Sequence, residues 1–492
     1  METAPTRQRL ALAAQLRNSG ELRQAEALYQ AMVNEFPQYA PTLYHLGMIK
    51  RQLGDLQQAL HLLQRAVECN PDDPAVHGGL ALIRKEQGDV REASIHFQKL
   101  LDLGHGSVEL LCLLGDCHID MGEADKAIPH FQQATALNPA MEESWINLGL
   151  CLNGLGKLQE AIDCYRQGLQ HHPESVPLHI NLAIALLSAG QYNAGWQEYH
   201  WRLKLPEVVQ FMARVVGDIR LWQGESLEDA HILVVSDQGY GDALNFVRYL
   251  PELKALGAQV TFHCPTSLAP LMREAPGVDQ VTSNSDLEHF PFDFFIPLSS
   301  LPRLLSIHGG NVGGRVPYLF ADPGQISHWS PLFEGTRLRV GITWRGQPLH
   351  PNDPFRRRSL PPQLLTSLLK VTGVTFFLLQ PGDEPPPELA GLMNLGPFLK
   401  NFADTAALVA QLDLIISIDT AMAHLAGALG KPVWTMLPMA PDWRWGRSQK
   451  TTPWYPNMTL FRQTTPGDWQ QVMQEISTAL DQWANQQRTT SP

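Results

Sequence analysis

The chain has 492 residues, 44% of them hydrophobic, and its 37 Lys+Arg against 49 Asp+Glu give a formal net charge of −12. At about 150 residues per domain this length implies roughly three domains, and the acidic balance argues against nucleic acid or an anionic membrane as a general partner, so any anion must be held by a local pocket. No apolar run approaches the roughly 18 residues of a membrane helix, and six cysteines without zinc or c-type haem spacing read as free thiols in a reducing, cytoplasmic compartment.

From the N-terminus, METAPTRQRLALAAQLRNSG is broken by Gln15 and Arg17 and makes a poor signal peptide. A period of 34 residues then sets in. Gly20, Gly54, Gly88, Gly122, Gly156 and Gly190 recur at that interval. Five residues after each comes a small residue (Ala25, Ala59, Ala93, Ala127, Ala161, Gly195), and four further on a large one (Tyr29, Leu63, Phe97, Phe131, Tyr165, Tyr199). The glycine permits a tight turn between two antiparallel helices, the small residue lets them cross closely, and the large one fills the seam. Pro37, Pro71, Pro139 and Pro173 end four second helices. With Trp145, Leu148 and Gly149 as a first-helix signature, this pattern resembles the tetratricopeptide repeat over residues 1–205. Such a solenoid has a concave face suited to a protein or peptide. Asn147 and Asn181 occupy equivalent inward positions and resemble the asparagine ladder of the repeats attached to O-linked N-acetylglucosamine transferases, which implies acceptor binding. His45, Gly79 and Leu113 stand at the earlier equivalents, and two solvated asparagines are the plainer reading.

Tryptophans 196, 201 and 222 cluster where the period fades, and residues 206–229 read as a junction. From His231 the pattern is strand, glycine turn, helix, strand, with further strands near Gln280 and from Phe292, giving a first α/β lobe over 230–332. A second lobe over 333–492 opens with the strand RVGITW, has strands at VTFFLLQ, LIISI and MTLFRQ, and ends in a helix expected to reach back across the first lobe. Two such lobes place ligands outside the carboxyl ends of their strands.

Three loops lie at those ends. In the first, Gly239 and Gly241 allow close backbone approach and Asp242 opens a helix, where it reads equally as an N-cap. The second, RGQPLHPNDPFRRRSL, carries Arg345, Arg356, Arg357 and Arg358, either a phosphate clamp or a solvated charge run. The third, Asp419-Thr420-Ala421 through His424, is a strand-to-helix turn whose N–H groups and helix dipole suit a phosphate, and whose Asp-Thr step is also an ordinary N-cap. It is followed by PMAPDWRWG, whose Trp443 and Trp445 would stack on a sugar or base, or pack as a lid.

Taken together, GYGDALNFVRYLP, VGITWRGQPLHPNDPFRRRSL, LLQPGDE, ISIDTAMAHLAGALGKPVW and DWRWG resemble the bacterial tetratricopeptide-linked glycosyltransferases whose catalytic part is similar to glycosyltransferase family 9, the heptosyltransferase group. The resemblance implies an α + α/β chain: a repeat solenoid followed by a two-lobed GT-B-like, double Rossmann-like domain whose second lobe binds a nucleotide sugar. It also implies hexosyl or heptosyl transfer with inversion. By its motifs Asp242 is the general base on the acceptor, and Asp419, Thr420, Ala421 and His424 bind the donor diphosphate. Trp344 and Gln380 fall near the donor, and Trp443 and Arg444 of DWRWG are taken with it. Where the family has glycine after Asp-Ser/Thr, this chain has Ala421. The family's phosphate-binding lysine has no match after GITW, and its role passes to Arg345 or Arg358.

A helix N-terminus with arginine can stabilise a departing diphosphate without a metal, and the chain has no D-x-D motif, so neither metal nor other cofactor is expected. The expected partners are a nucleotide-sugar donor and a protein acceptor in the repeat groove. A lipopolysaccharide or other glycan acceptor, and a non-catalytic repeat scaffold, are the alternatives.

Overall fold

The computed structural model describes residues 4–283, 287, 291–307, 312, 314–346, 359–382 and 384–490. The chain divides into two compact units, Met1–Leu152 and Asn153–Pro492.

The first unit is a run of paired helices from Ala4–Asn18 to the greater part of Glu142–Gly154. The periodic residues do the work their spacing predicts. Gly20, Gly54, Gly88 and Gly122 all adopt positive φ, between 74° and 84°, the left-handed turn that ends the first helix of each pair. Ala25, Ala59, Ala93 and Ala127 are fully buried at the crossings, and Tyr29, Leu63, Phe97 and Phe131 fill the seams. A ring N–H also closes the link between repeats: His77 Nε2 and Trp145 Nε1 meet the carbonyl oxygens of Pro71 and Pro139 at 2.8 and 2.9 Å.

The second unit begins with the last repeat helices, Leu158–His171, Val176–Ser188 and Tyr192–Tyr199, and continues into two sheets. The first sheet comprises β1 (His231–Val235), β2 (Gln259–His263), β3 (Gln280–Thr282) and β4 (Phe294–Pro297), in the order β3-β2-β1-β4. The second comprises β5 (Leu338–Thr343), β6 (Val374–Leu378), β7 (Met393–Asn394), β8 (Leu414–Ile418), β9 (Val433–Leu437) and β10 (Met458–Arg462), in the order β10-β9-β8-β5-β6-β7. Every pairing between these strands is parallel. This is the two-sheet α/β architecture that the strand-turn-helix grammar implied, and it is consistent with the GT-B-like fold that the family resemblance implied.

Alternation along the strands assigns the layers. Leu233 and Val235 of β1 pack under the helix Pro206–Val216, so the junction residues form a covering layer of the first sheet. Ile232 and Val234 face the opposite way, into a large core that also takes in Ile415 of β8, Val433 of β9 and Trp196 of the last repeat. On the far face of the second sheet, Leu414, Ile416 and Ile418 pack with Trp469, Val472, Met473, Ile476 and Leu480 of the final helix, Trp469–Thr490. That helix therefore covers its own lobe and does not reach back across the first, because its apolar stripe matches the uncovered side of β5, β6 and β8.

The last repeat is built into this core. Trp196 donates its ring N–H to Ile307 O at 3.0 Å and packs edge-on against Trp443 at 5.2 Å. Arg202, just after the repeat, makes a buried ion pair with Asp237 at 3.0 Å and reaches Ser300 Oγ at 2.7 Å.

Candidate functional site

In each sheet the strand order reverses at one place, between β1 and β4 in the first and between β5 and β8 in the second. Parallel sheets leave a crevice at such points, because the connections on either side run to opposite faces. The four segments that leave these strands are residues 236–242, Leu298–Ser300, residues 344–346 and residues 419–424. Three of the four hold residues picked out from sequence. The second and third of the candidate loops are neighbours at the crevice of their own sheet: a Cβ on Gly346 would lie 3.5 Å from Thr420 Cγ2.

Asp242 stands in the first turn of the helix Tyr240–Phe246, directly after the Gly239 cap. Its Oδ1 pairs with Arg444 Nη2. The two side chains are unequally enclosed, with 28% of the Asp242 side-chain surface accessible against 5% for Arg444. Arg444 also donates from Nη1 to Asp442 Oδ1 at 3.0 Å and from Nε to Asn245 Oδ1 at 3.1 Å. One guanidinium thus serves two carboxylates. Desolvation raises the Asp242 pKa above the ordinary carboxylate value, and the nearby Asp442 charge adds to this, against the lowering effect of Arg444.

The turn after β8 presents the start of a second helix, Ala421–Ala428, to the same region. Thr420 caps it in an extended conformation, yet its hydroxyl makes no cap hydrogen bond and lies instead 3.2 Å from Ser417 Oγ. The first-turn N–H groups are therefore not claimed by the side chain that sequence suggested as their cap. Asp419 and His424 are both buried. The two helices approach until no side chain fits between them: a Cβ on Gly241 would sit 2.8 Å from His424 Cδ2. At Gly239 the same atom would meet nothing closer than Asp242 Oδ2, at 3.6 Å.

Behind this contact runs a buried polar chain. Asn245 Nδ2 donates to Tyr455 Oη at 2.9 Å, and Tyr455 Oη lies 2.9 Å from His424 Nδ1. Arg248 flanks it, donating to Tyr318 Oη at 2.8 Å and to Trp454 O at 3.1 Å from both Nη atoms. Asp242 and His424, from different sheets, are thereby linked through Arg444, Asn245 and Tyr455.

Several expected site residues take other places. Trp344 is buried among Val340, Ile342 and Leu360, so its ring belongs to the second lobe's core and not to a donor surface. Gln380 is buried and accepts the Arg345 N–H at 3.2 Å, which ties the loop after β5 to the end of β6. Trp443 is enclosed by Trp196, Phe246 and Trp454, and Trp445 by His424 and Tyr455; both rings pack the domain and offer no face for stacking. The Arg444 guanidinium holds Asp242 in place of a donor phosphate. Arg345 is exposed at the loop, and Arg358 lies outside the described residues. In the first unit Asn147 donates to Asp116 Oδ1 at 3.1 Å. Asn181, in the second unit, is half-buried on Val176–Ser188.

Sequence reasoning missed Asp237, Asn245, Tyr318 and Tyr455. Asp237 was the most accessible of these, being an acid directly after a buried strand. It is gripped by Arg202 and by Ser299, whose hydroxyl donates to it at 2.6 Å.

Comparison with known proteins agrees with the two-part reading. Residues 16–83, 108–140 and 142–175 match tetratricopeptide repeat profiles. Residues 388–480 match the profile of glycosyltransferase family 9 (heptosyltransferase). Protein FlbA of Caulobacter vibrioides is 27% identical over 329 residues, which are 61% of this chain and 54% of that protein; the chain thus spans about half the length of this curated relative. Among solved structures, YrrB, described as a TPR protein with an unusual peptide-binding site, is similar at 18% identity and a TM-score of 0.34, over 36% of this chain and 92% of that one. MamA from Desulfovibrio magneticus RS-1 is similar at 19% identity and a TM-score of 0.32, over 35% and 96%. The chain carries tetratricopeptide repeats in its N-terminal part and a glycosyltransferase family 9 domain towards its C-terminus.

Proposed function

We propose that the second unit transfers a hexosyl or heptosyl group, with inversion, from a nucleotide-sugar donor to a hydroxyl of a protein or peptide presented by the repeats. The observation that carries this reading is the meeting of two chemically different elements from two sheets. A carboxylate, Asp242, stands on the helix whose Gly241 packs directly against His424, on the helix that starts after Thr420.

In the reaction the acceptor oxygen attacks the anomeric carbon, the bond from that carbon to the diphosphate breaks, and the hydroxyl proton passes to Asp242. Arg444 occupies Oδ1, so Oδ2, which lies over Gly239, is the oxygen that receives it. A raised pKa strengthens the base so long as the carboxyl is ionised at the working pH. The charge that develops on the departing diphosphate is met by the first-turn N–H groups of Ala421–Ala428, the positive end of its dipole and Arg345. In this reading no metal takes part. The docking of the last repeat onto the loop that carries Arg444 favours an acceptor delivered along the repeats. Six cysteines present as free thiols, and no described helix long and apolar enough to cross a membrane, accord with a cytoplasmic location.

The test is product formation by the purified chain from a panel of nucleotide sugars, with and without EDTA. Release of nucleoside diphosphate that needs an added protein acceptor and survives EDTA supports the reading. Turnover that stops with EDTA removes its metal-free element, and turnover with glycan acceptors alone removes the protein acceptor.

A further inference from the structure

The seam between the last repeat and the first sheet holds more positive charge than its carboxylates balance. Two contacts fix this seam: Trp196 Nε1 donates to Ile307 O at 3.0 Å, and Arg202 Nη2 donates to Ser300 Oγ at 2.7 Å. Between these anchors lie His200 on the repeat side, in His200–Lys204, and Arg303 on the sheet side, in Leu301–Leu304. Burial of the imidazole, and then the charges of Arg303 and Arg202, lower the His200 pKa to about 4. Burial and the Arg202 charge also lower the pKa of Arg303.

The acid at this seam, Asp237, is fully engaged. Its Oδ2 accepts from Arg202 Nε at 3.1 Å, Arg202 Nη2 at 3.0 Å and Ser299 Oγ at 2.6 Å, and its Oδ1 accepts the Ser299 N–H at 3.0 Å. Arg303 is half-buried and makes no hydrogen bond or ion pair among the described residues. Its Nε is enclosed without a partner, as is His200 Nδ1, whereas the two Nη atoms of Arg303 keep contact with solvent. Two guanidiniums against one carboxylate leave a cation unbalanced, in a chain whose acidic residues outnumber its basic ones by 49 to 37. A partly desolvated arginine beside a like charge weakens the fold. Residues that do so mark functional sites more often than structural ones.

We propose that Arg303, with Arg202 and His200 beside it, is an oxyanion site at the seam between the last repeat and the first sheet, and that it takes a carboxylate of an acidic acceptor segment. The oxyanion site follows from the arrangement of charge alone. That its ligand belongs to the acceptor rests on the transferase reading, in which Asp242 of the same lobe serves the acceptor and a protein delivered along the repeats crosses this seam. The two Nη atoms of Arg303 match the two oxygens of a carboxylate. Arg202 stays with Asp237 and contributes charge. Free phosphate shares this chemistry, and the test separates the two sources.

The test compares the full wild-type chain with Arg303→Gln at low ionic strength, using three probes: inorganic phosphate, a serine peptide flanked by glutamates, and the same peptide with glutamines. In calorimetry the glutamate peptide should bind wild type roughly tenfold or more tightly than the glutamine peptide, and Arg303→Gln should lose that preference. Without any probe, Arg303→Gln should melt no lower than wild type, as expected when an unpaired cation is removed and opposite to the loss of a structural arginine. A glutamate preference that persists in Arg303→Gln overturns the inference, as does a variant that melts well below wild type or a wild type that binds none of the probes. Phosphate binding that is lost in Arg303→Gln, without a glutamate preference in wild type, overturns the carboxylate assignment and leaves a site for a small free anion. Arg303-dependent glutamate binding in a protein that transfers no sugar supports the site and counts against the transferase reading only.

Discussion

Asp242 and Arg444 lie 202 positions apart and meet in one ion pair, with the arginine deeply buried and the carboxylate still partly accessible. Removing the guanidinium leaves Asp242 and Asp442 as two enclosed carboxylates without their shared cation. Arg444→Ala should cost about 3 kcal/mol, the lower end for a broken buried pair because Asp242 keeps contact with solvent. Arg444→Lys should recover only part of this, since the three donors of an ammonium radiate from one nitrogen and cannot span partners that the guanidinium reaches from Nε, Nη1 and Nη2. Denaturant unfolding of the two variants measures both effects.

The raised Asp242 pKa sets opposite trends for stability and activity. A carboxyl with a folded-state pKa above its unfolded value contributes stability that is present below the unfolded pKa and is lost as pH rises through the folded one. A base, however, must be ionised. Transfer should therefore rise with pH through a limb above the ordinary carboxylate range, and in Arg444→Ala that limb should move to higher pH. A pH profile of kcat/KM for both proteins reads the shift.

His200, where the last repeat joins the first lobe, has its pKa lowered to about 4 by burial and by the charges of Arg303 and Arg202. The unfolded chain then takes up a proton near the usual histidine value of about 6.5 while the folded chain does not. Stability conferred at neutral pH should fall as pH drops from about 6.5 toward 4. In His200→Gln the same melting series should be flatter across this window.

The two glycines before Asp242 should behave differently. At Gly241 a methyl group meets a His424 ring that is itself packed against Trp445 and Tyr455 and cannot yield, so Gly241→Ala should destabilise by about 1–3 kcal/mol and depress transfer. At Gly239 the added atom makes an ordinary contact, and Gly239→Ala should melt close to wild type. Equal effects in thermal melts would show that the helix contact is looser than described.

Local chemistry is what sequence made legible. Glycines at a period of 34 announced left-handed turns, and all six adopt positive φ. The strand LIISI and its turn were readable because a buried parallel strand is a continuous apolar run, and β8 spans those residues. Asp242 and the Asp419–His424 turn could be proposed because each sits at a strand end. Partnerships across long separations could not. Nothing near Trp443 or Arg444 says that one ring packs beneath the last repeat and that the neighbouring guanidinium grips an acid from the other sheet. Nor does Tyr455 advertise its role, since a buried phenol becomes informative only when its donors and acceptors are in view. The final helix misled for a related reason: its apolar stripe shows that one face is covered, and only the packed structure shows by which sheet.

The most direct test of the whole account is donor binding and sugar transfer measured side by side for wild type and Asp242→Asn. The account predicts that the variant binds the nucleotide donor as wild type does, by calorimetry, while release of nucleoside diphosphate in the presence of acceptor falls by roughly 10²–10⁴-fold, the loss of a general base. Undiminished transfer by Asp242→Asn would contradict it.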